Sequence, residues 1–363
     1  SMESPPIEEQ RYLFNQSHVA TLNNLWRTSK TSQLRFNANY LNDHVSQNKS
    51  VKSEHFLPDS TIQIDETDAI LKRTERFEGG VNYTDNATNF YLENALKWKL
   101  RKENSNALSS VNGNSLLQRY ELPYYSIENK LDFLKRWDTK LLNIGTQFIY
   151  AQQPKHLAVE INGERSTQEI DLSNFYSKTE TYYSWAWQKS RLLLKANAEI
   201  ASNSISTLLS DAELPDSISS KLHINDFMLE LTPVYTYKLR KWELKWSVPI
   251  KEQIFVKKDR EENNTATYNY FFINTNANLS YTFSPYLSSE LSYKYQNNVS
   301  DYTDFINTYI MRDYRSFTKP SGTLSKRESQ SYAVSFHYKN PFSVVFANAQ
   351  LSYVPSARNK MIA

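Results

Sequence analysis

The sequence predicts an all-β fold, an antiparallel up-and-down transmembrane β-barrel, and three observations carry that expectation. Aromatic residues reach 14% in a chain only 39% hydrophobic, led by 25 Tyr and 18 Phe. Short polar turns recur at intervals of about 45–55 residues along the 363-residue chain. Between them, apolar and polar residues alternate with period two, which puts successive side chains on opposite faces of a strand.

The composition narrows the classes further. Low hydrophobicity usually accompanies disorder, but disordered chains are poor in aromatics, and this one is rich in them. Rings and β-branched side chains favour strands. The 42 basic and 39 acidic residues nearly cancel to +3, so the basic footprint of a nucleic-acid partner is missing. With no Cys, a disulfide framework and thiolate metal sites are excluded. No run of about 18 apolar residues offers a transmembrane helix. A barrel strand needs only about 10 residues of alternating character, and its lumen-facing half lowers the average hydropathy. The opening SMESPPIEEQ lacks the pattern of a signal peptide. Residues 1–10 are read as a tail or cloning-derived segment, and 11–363 as a single barrel region without a plug domain.

Taken in order, the turns fall near TSKTSQ (28–33), TDNATN (84–89), WDTK (137–140), QKSR (188–191), LRKW (239–242), SPY (284–286) and NPF (340–342). Such regularity is expected when one strand–turn–strand unit repeats. The strands beside SPY alternate most clearly. Ala277, Leu279, Tyr281 and Phe283 interleave with Asn276, Asn278, Ser280 and Thr282, and Leu287, Ser289, Leu291, Tyr293 and Tyr295 follow on the other side. Around NPF, Tyr332, Val334, Phe336 and Tyr338 share one face, and Ser343, Val345, Ala347, Ala349, Leu351 and Tyr353 share another. Leu192, Leu194, Ala196, Ala198 and Ile200 form a third set. Polar partners (Asn276, Asn278, Glu290, Lys294, Lys195, Glu199) are expected to face the lumen.

Longer polar connections lie near 44–69, 103–116, 152–169, 202–221, 257–267 and 298–326. Tight turns at one end and long loops at the other are the asymmetry of an outer-membrane barrel, with periplasmic turns and extracellular loops. This reading gives about fourteen strands of about 10–15 residues each. Trp placement agrees with it. Six of the seven Trp lie within about five residues of a short turn, as rings gathered at a membrane interface would. The expected aromatic girdle is Trp26, Trp137, Trp185, Trp187, Trp242, Trp246, Phe283, Tyr286 and Phe342.

Nothing in the sequence assembles into a catalytic site, so no enzyme, cofactor or metal centre is expected. The six His show no ligand spacing of the H-x-x-x-H kind. Gly79–Gly80, the one adjacent glycine pair, is read as a strand bulge or kink. The acidic stretch PDSTIQIDETD, with Asp59, Asp65, Glu66 and Asp68, does not match a calcium loop and is read as solvated. The run KKDREENN (257–264) is read as an exposed loop tip.

Three stretches carry a family resemblance: RYLFNQSHVATLNNLWRTSKTSQLRFNANYLNDH (11–44), LKRTERFEGGVNYTDNATNFYLENALKWK (71–99) and LSYVPSARNKMIA (351–363). In these the chain resembles the barrel portion of TonB-dependent outer-membrane receptors of the Bacteroidetes type, which carry a carboxypeptidase-like regulatory domain. The resemblance implies a 22-stranded barrel around a plug, with a short N-terminal box that contacts TonB. It implies uptake of a scarce nutrient, such as an iron chelate, cobalamin, a glycan or a peptide. The implied partners are the lipid bilayer, lipopolysaccharide, the nutrient ligand and TonB, the last through a segment not present here. The chain shows no plug, TonB box or aromatic-ended final strand, so an incomplete part of the 22-stranded barrel is expected. The residues that bind the ligand are not assigned. Two other readings stay open, a different outer-membrane barrel of porin type and a surface-exposed β-rich carbohydrate-binding protein.

Overall fold

A computed structural model describes residues 13–57, 60–111, 114–161, 163–210, 218–299, 305, 310–313, 316–318 and 324–360. The segment 1–10, read above as a tail, lies outside the described residues. The first nine strands are β1 (Leu13–Arg27), β2 (Ser32–Leu57), β3 (Ser60–Asn86), β4 (Phe90–Val111), β5 (Asn114–Trp137), β6 (Lys140–Ile161), β7 (Glu164–Ala186), β8 (Ser190–Ser210) and β9 (Ile218–Leu239). There follow β10 (Trp242–Ser247), β11 (Ile250–Asp259), β12 (Asn264–Ile273), β13 (Thr275–Ser284) and β14 (Leu287–Val299). A small hairpin, β15 (Ile310–Asp313) and β16 (Ser316–Thr318), precedes β17 (Ser325–Asn340), β18 (Val345–Tyr353) and β19 (Ser356–Lys360).

Each strand from β1 to β9 pairs antiparallel with the next in the chain. Further on, three pairs of segments behave as single long strands. β10 and β11 both lie along β9, parted only at Val248–Pro249, and β12 and β13 lie along them in turn. β13 pairs with β14, β14 with β17, and β17 with β18 and β19, which part at Val354–Pro355. Proline cannot donate to a ladder, yet its carbonyl still accepts. Asn274 N donates to Pro249 O at 2.8 Å and Gln330 N to Pro355 O at 3.1 Å, so the ladders run on through the breaks. Seventeen segments in one sheet therefore make fourteen crossings, in chain order, up and down. Among the described residues β1 does not pair with β18 or β19, and the sheet stands open with these strands as its edges.

All seven expected turns are present. At the two-residue turns after β5 and β9, Asp138 and Arg240 take left-handed φ of 43° and 53°, a conformation that tight hairpins select. Two expectations need correction. The strands are far longer than 10–15 residues, with β2 at 26 and β3 at 27. The expected long loops are mostly ladder as well, since pairing continues out to Leu57↔Ser60, Val111↔Asn114, Ile161↔Glu164 and Asp259↔Asn264. Towards that end the apolar alternation changes face or fades while backbone pairing persists. Most of 298–326 lies outside the described residues. The second correction concerns Gly79–Gly80, where the register passes without a shift. Instead of a bulge, a Cβ on Gly79 would lie 2.4 Å from the Trp98 ring, so the bare glycine makes room for that indole.

Candidate functional site

The registers assign every described side chain of the sheet to one of two faces. Reading straight across β9, β10, β13, β14, β17 and β18, one row is Tyr237, Leu244, Leu279, Leu291, Val334 and Leu351. One residue along, the row is Lys238, Glu243, Ser280, Glu290, Ser335 and Gln350. Four of the six in the first row are exposed and Tyr237 and Leu279 half-buried; Leu351 has 78% of its surface open and Leu291 52%. An apolar face turned outward beside a polar one is the reverse of a soluble sheet.

The apolar face forms a belt. It includes Leu34, Phe36, Ala38 and Tyr40 on β2, Leu92, Leu96, Trp98 and Leu100 on β4, and Leu192 to Ile200 on β8. The belt is bounded by rings at both edges. At the turn end lie eight of the nine sequence-derived aromatics, with Trp26, Trp137, Trp185, Trp242 and Phe283 on terminal strand residues and Trp187, Tyr286 and Phe342 at the turns; Trp246 is the fifth residue of β10, in one row with Tyr293, Tyr332 and Tyr353. Trp185 meets Tyr183 edge-on at 4.2 Å between ring centroids, and Trp242 contacts Tyr281 at 4.4 Å. The opposite edge carries a second set that the Trp pattern missed: Tyr40, Tyr125, Tyr150, Phe175, and the neighbours Tyr293, Tyr332 and Tyr353. Being Tyr and Phe, these do not stand out from the chain's many other rings. Their signal lay in the spacing, since Phe175 and Trp185 share a face on one strand. Ten residues at ~3.3 Å make ~33 Å along a strand, which a tilt of about 40° projects to ~25 Å.

The polar face carries a ladder of paired groups. Glu93 accepts hydrogen bonds from Tyr91 Oη at 2.6 Å and Asn82 Nδ2 at 2.8 Å. Gln147 donates to Glu128 at 2.7 Å, Lys130 pairs with Asp132 at 3.0 Å, and Lys178 bridges Glu180 and Glu199, the latter at 3.3 Å. Gln253 donates to both oxygens of Asp226. Farther from the turns, Glu103 accepts from Lys72 at 2.8 Å and Arg101 at 3.3 Å, and its hydrogen bond keeps the Lys72 ammonium above its ordinary pKa. Singly such half-exposed pairs contribute little stability; together they make a wettable surface. Asn276, Asn278, Glu290, Lys294, Lys195 and Glu199 all fall on this face.

Beyond the second ring the pattern inverts. On β8 the apolar residues change face between Ile200 and Ile205, and on β9 between Phe227 and Ile224. The buried clusters of this far end lie on the continuation of the polar face: Leu116 with Val159 and Leu209, and Ile205 with Leu222. A third gathers Ile224, Phe255, Phe305 and Leu324, with Lys257 over the Phe305 ring at 5.7 Å. One long strand thus hides apolar groups inward at the far end and shows them outward in the belt. Such a switch is what a change of surrounding medium partway along a strand would select.

No family model matches the sequence, and a search of curated proteins returns no match. Among solved structures, the chain is similar to the alcaligin outer-membrane receptor FauA of Bordetella pertussis, at 11% identity and a TM-score of 0.49, over 97% of this chain and 52% of that one. It is also similar to the unliganded ferric citrate transporter FecA, at 6% identity and a TM-score of 0.45, over 96% and 56%. A third is the siderophore receptor PiuA of Acinetobacter baumannii, at 8% and 0.45, over 96% and 64%. The chain spans about half to two thirds of these receptors' length. At TM-scores below 0.5 the alignments add no weight to the fold, which rests on the registers.

At the turn end of the polar face, a cavity of about 380 Å³ opens between β8, β9 and β10. Lys189, Arg191, Lys238 and Lys245 line it with Glu243 as the one acid, and Arg191 Nε donates to Ser184. Among the described residues no three His, Asp or Glu gather to hold a metal ion. Asp68 accepts a hydrogen bond from Ser109; Asp59 lies outside the described residues.

Proposed function

We propose that this chain is wall from the β-barrel of a TonB-dependent receptor in a bacterial outer membrane, of the Bacteroidetes type, which takes up a scarce nutrient. One observation carries the reading: an outward apolar belt between two aromatic edges, ten residues apart where Phe175 and Trp185 share a face of β7, a span that the strand tilt of such barrels would bring to about 25 Å. The eight girdle residues at the turn end, from Trp26 to Phe342, hold one interface with Trp246 deeper in the belt, and lipid with lipopolysaccharide surrounds the wall. The polar ladder faces the lumen, where a plug and a passing ligand have hydrogen-bonding and charged groups to meet. The far-end hairpins, inverted in polarity, stand in water outside the cell. The role is non-enzymatic, with uptake powered by TonB through another segment of the full protein. The short-turn end then faces the periplasm.

The two open edges fit this reading, because unpaired N–H and C=O groups are not tolerated in lipid and further strands must close them. The test is fractionation and uptake with the complete reading frame in its own host. The protein should sediment with the outer membrane, and loss of TonB should abolish nutrient-dependent growth. Recovery in the soluble fraction, or growth indifferent to TonB, contradicts the proposal.

A further inference from the structure

At the turn end of the polar face the charges do not balance. Elsewhere on this face cations have acids beside them: Lys130 has Asp132, Lys178 has Glu180 and Glu199, and Lys72 and Arg101 share Glu103. The cavity of about 380 Å³ between β8, β9 and β10 departs from that pattern. Of its four cations Lys238 has a carboxylate, that of Glu243 at 3.0 Å. Among the described residues, Lys189, Arg191 and Lys245 pair with no acid.

The registers set these cations out as a grid. Arg191, Thr236 and Lys245 form one row across the three strands, and Lys238 and Glu243 lie in the next row, nearer the turns. Lys189 stands beside Lys238, whose backbone N–H donates to Lys189 O at 2.7 Å. Leu193 and Val234, in the row on the other side, close the floor. Rows two residues apart are separated by ~7 Å and neighbouring strands by ~4.8 Å, so the backbones of Arg191 and Lys245 stand ~10 Å apart. Unpaired cations crowded into one concavity raise its potential and draw anions to it. A single small anion is too narrow to meet the whole grid. An extended polypeptide meets both rows, because its alternate side chains repeat at ~7 Å, the row spacing itself. The long Arg and Lys side chains bridge the remaining width.

We infer that this cavity docks an acidic polypeptide segment in extended form, with carboxylates on alternate residues. One carboxylate meets Arg191 and Lys245, and the next meets Lys189 and Lys238. Charge-assisted hydrogen bonds of this kind are the strong ones, and Arg makes them in pairs. Glu243 opposes the segment and holds Lys238 until it arrives. The inference goes beyond the receptor reading and stands without it, since it depends on the charge and register of the inner face alone.

The experiment is calorimetry of the chain in nonionic detergent with four probes: the capped peptide Glu-Ser-Glu-Ser-Glu, the permuted Glu-Glu-Glu-Ser-Ser, the basic Lys-Ser-Lys-Ser-Lys, and sodium phosphate. The alternating acidic peptide should bind, less tightly as salt rises, the permuted one several-fold more weakly, and the basic one not at all. Arg191→Gln and Lys245→Gln should each weaken binding about fivefold, and either serves if the other fails to fold. Glu243→Gln should tighten it by a similar factor. Lys30→Gln, in the second basic cavity of the turn end, beside Arg27, should leave it unchanged. Phosphate bound as tightly as the alternating peptide would make this a small-anion site. Equal binding of the permuted peptide, or equal loss in Lys30→Gln, would reduce it to diffuse rim charge, and capture by phosphatidylglycerol vesicles alone would make it a lipid contact. Each of these results overturns the inference, as does a failure of the alternating peptide to bind. TonB-independent growth with peptide binding intact would sink the receptor reading alone. TonB-dependent uptake without peptide binding would do the reverse.

Discussion

Trp98 is the one tryptophan away from a short turn, and its setting explains the exception. The indole lies across Gly79 on the neighbouring strand, beside Phe36 at 6.5 Å between ring centroids. Gly79→Ala should therefore cost about 1–3 kcal/mol through overpacking. The cost should largely vanish in a Trp98→Ala background, which thermal unfolding in detergent can measure as a coupling between the two sites. A second residue gives a pH dependence. Burial, and then the charges of Arg260 and Lys258, hold the His223 imidazole below its ordinary value of 6.5. This residue lies four positions beyond Phe227, outside the belt. Below pH 6.5 the unfolded chain binds a proton that the folded one resists. Stability is thus unaffected above 6.5 and falls as pH drops from there towards the lowered folded value. Melting curves of the parent and His223→Gln should show a smaller acid loss in the variant.

At the scale of the strand, the legible part of the fold is the part with one apolar and one polar face. The seven turns and the polar row of β13 and β14 follow from the turn residues and the period-two alternation beside them, which different media on the two faces would enforce. The far-end hairpins resemble loops in the sequence because the alternation fades there, as in NKSVKSEH (48–55), or changes face, as between Ile200 and Ile205. Their pairing is fixed by the backbone, which leaves no mark on side-chain type. Gly79–Gly80 misled for a related reason, since its partner Trp98 sits nineteen residues on and is visible only in the register. The belt itself makes a sharp prediction on β13. Leu279→Lys places a charge between Leu244 and Leu291, whereas Ser280→Lys places one between Glu243 and Glu290. In a lipid bilayer the first should lose about 2–4 kcal/mol near the midplane, and the second should be neutral or better. Urea unfolding in vesicles measures both.

At the scale of the molecule, the open edges dominate. β1 and the β18–β19 strand each present an unpaired row of backbone groups among the described residues, and β1 is exposed along its whole length. Such edges recruit other strands. Purified in detergent, the chain is expected to self-associate, as light scattering after size-exclusion chromatography would show. A strictly monomeric species would mean that the edges join and fourteen crossings close on themselves. The absence of Cys makes the account's central claim, that one face of the wall meets lipid and the other water, directly measurable. Single substitutions Asn276→Cys, Ala277→Cys, Asn278→Cys, Leu279→Cys, Ser280→Cys and Tyr281→Cys can each be given a fluorophore in reconstituted bilayers. Collision with a quencher in the acyl chains should be strong at 277, 279 and 281 and weak at 276, 278 and 280, with a water-soluble quencher giving the opposite pattern. Equal access of the aqueous quencher to all six positions would contradict it.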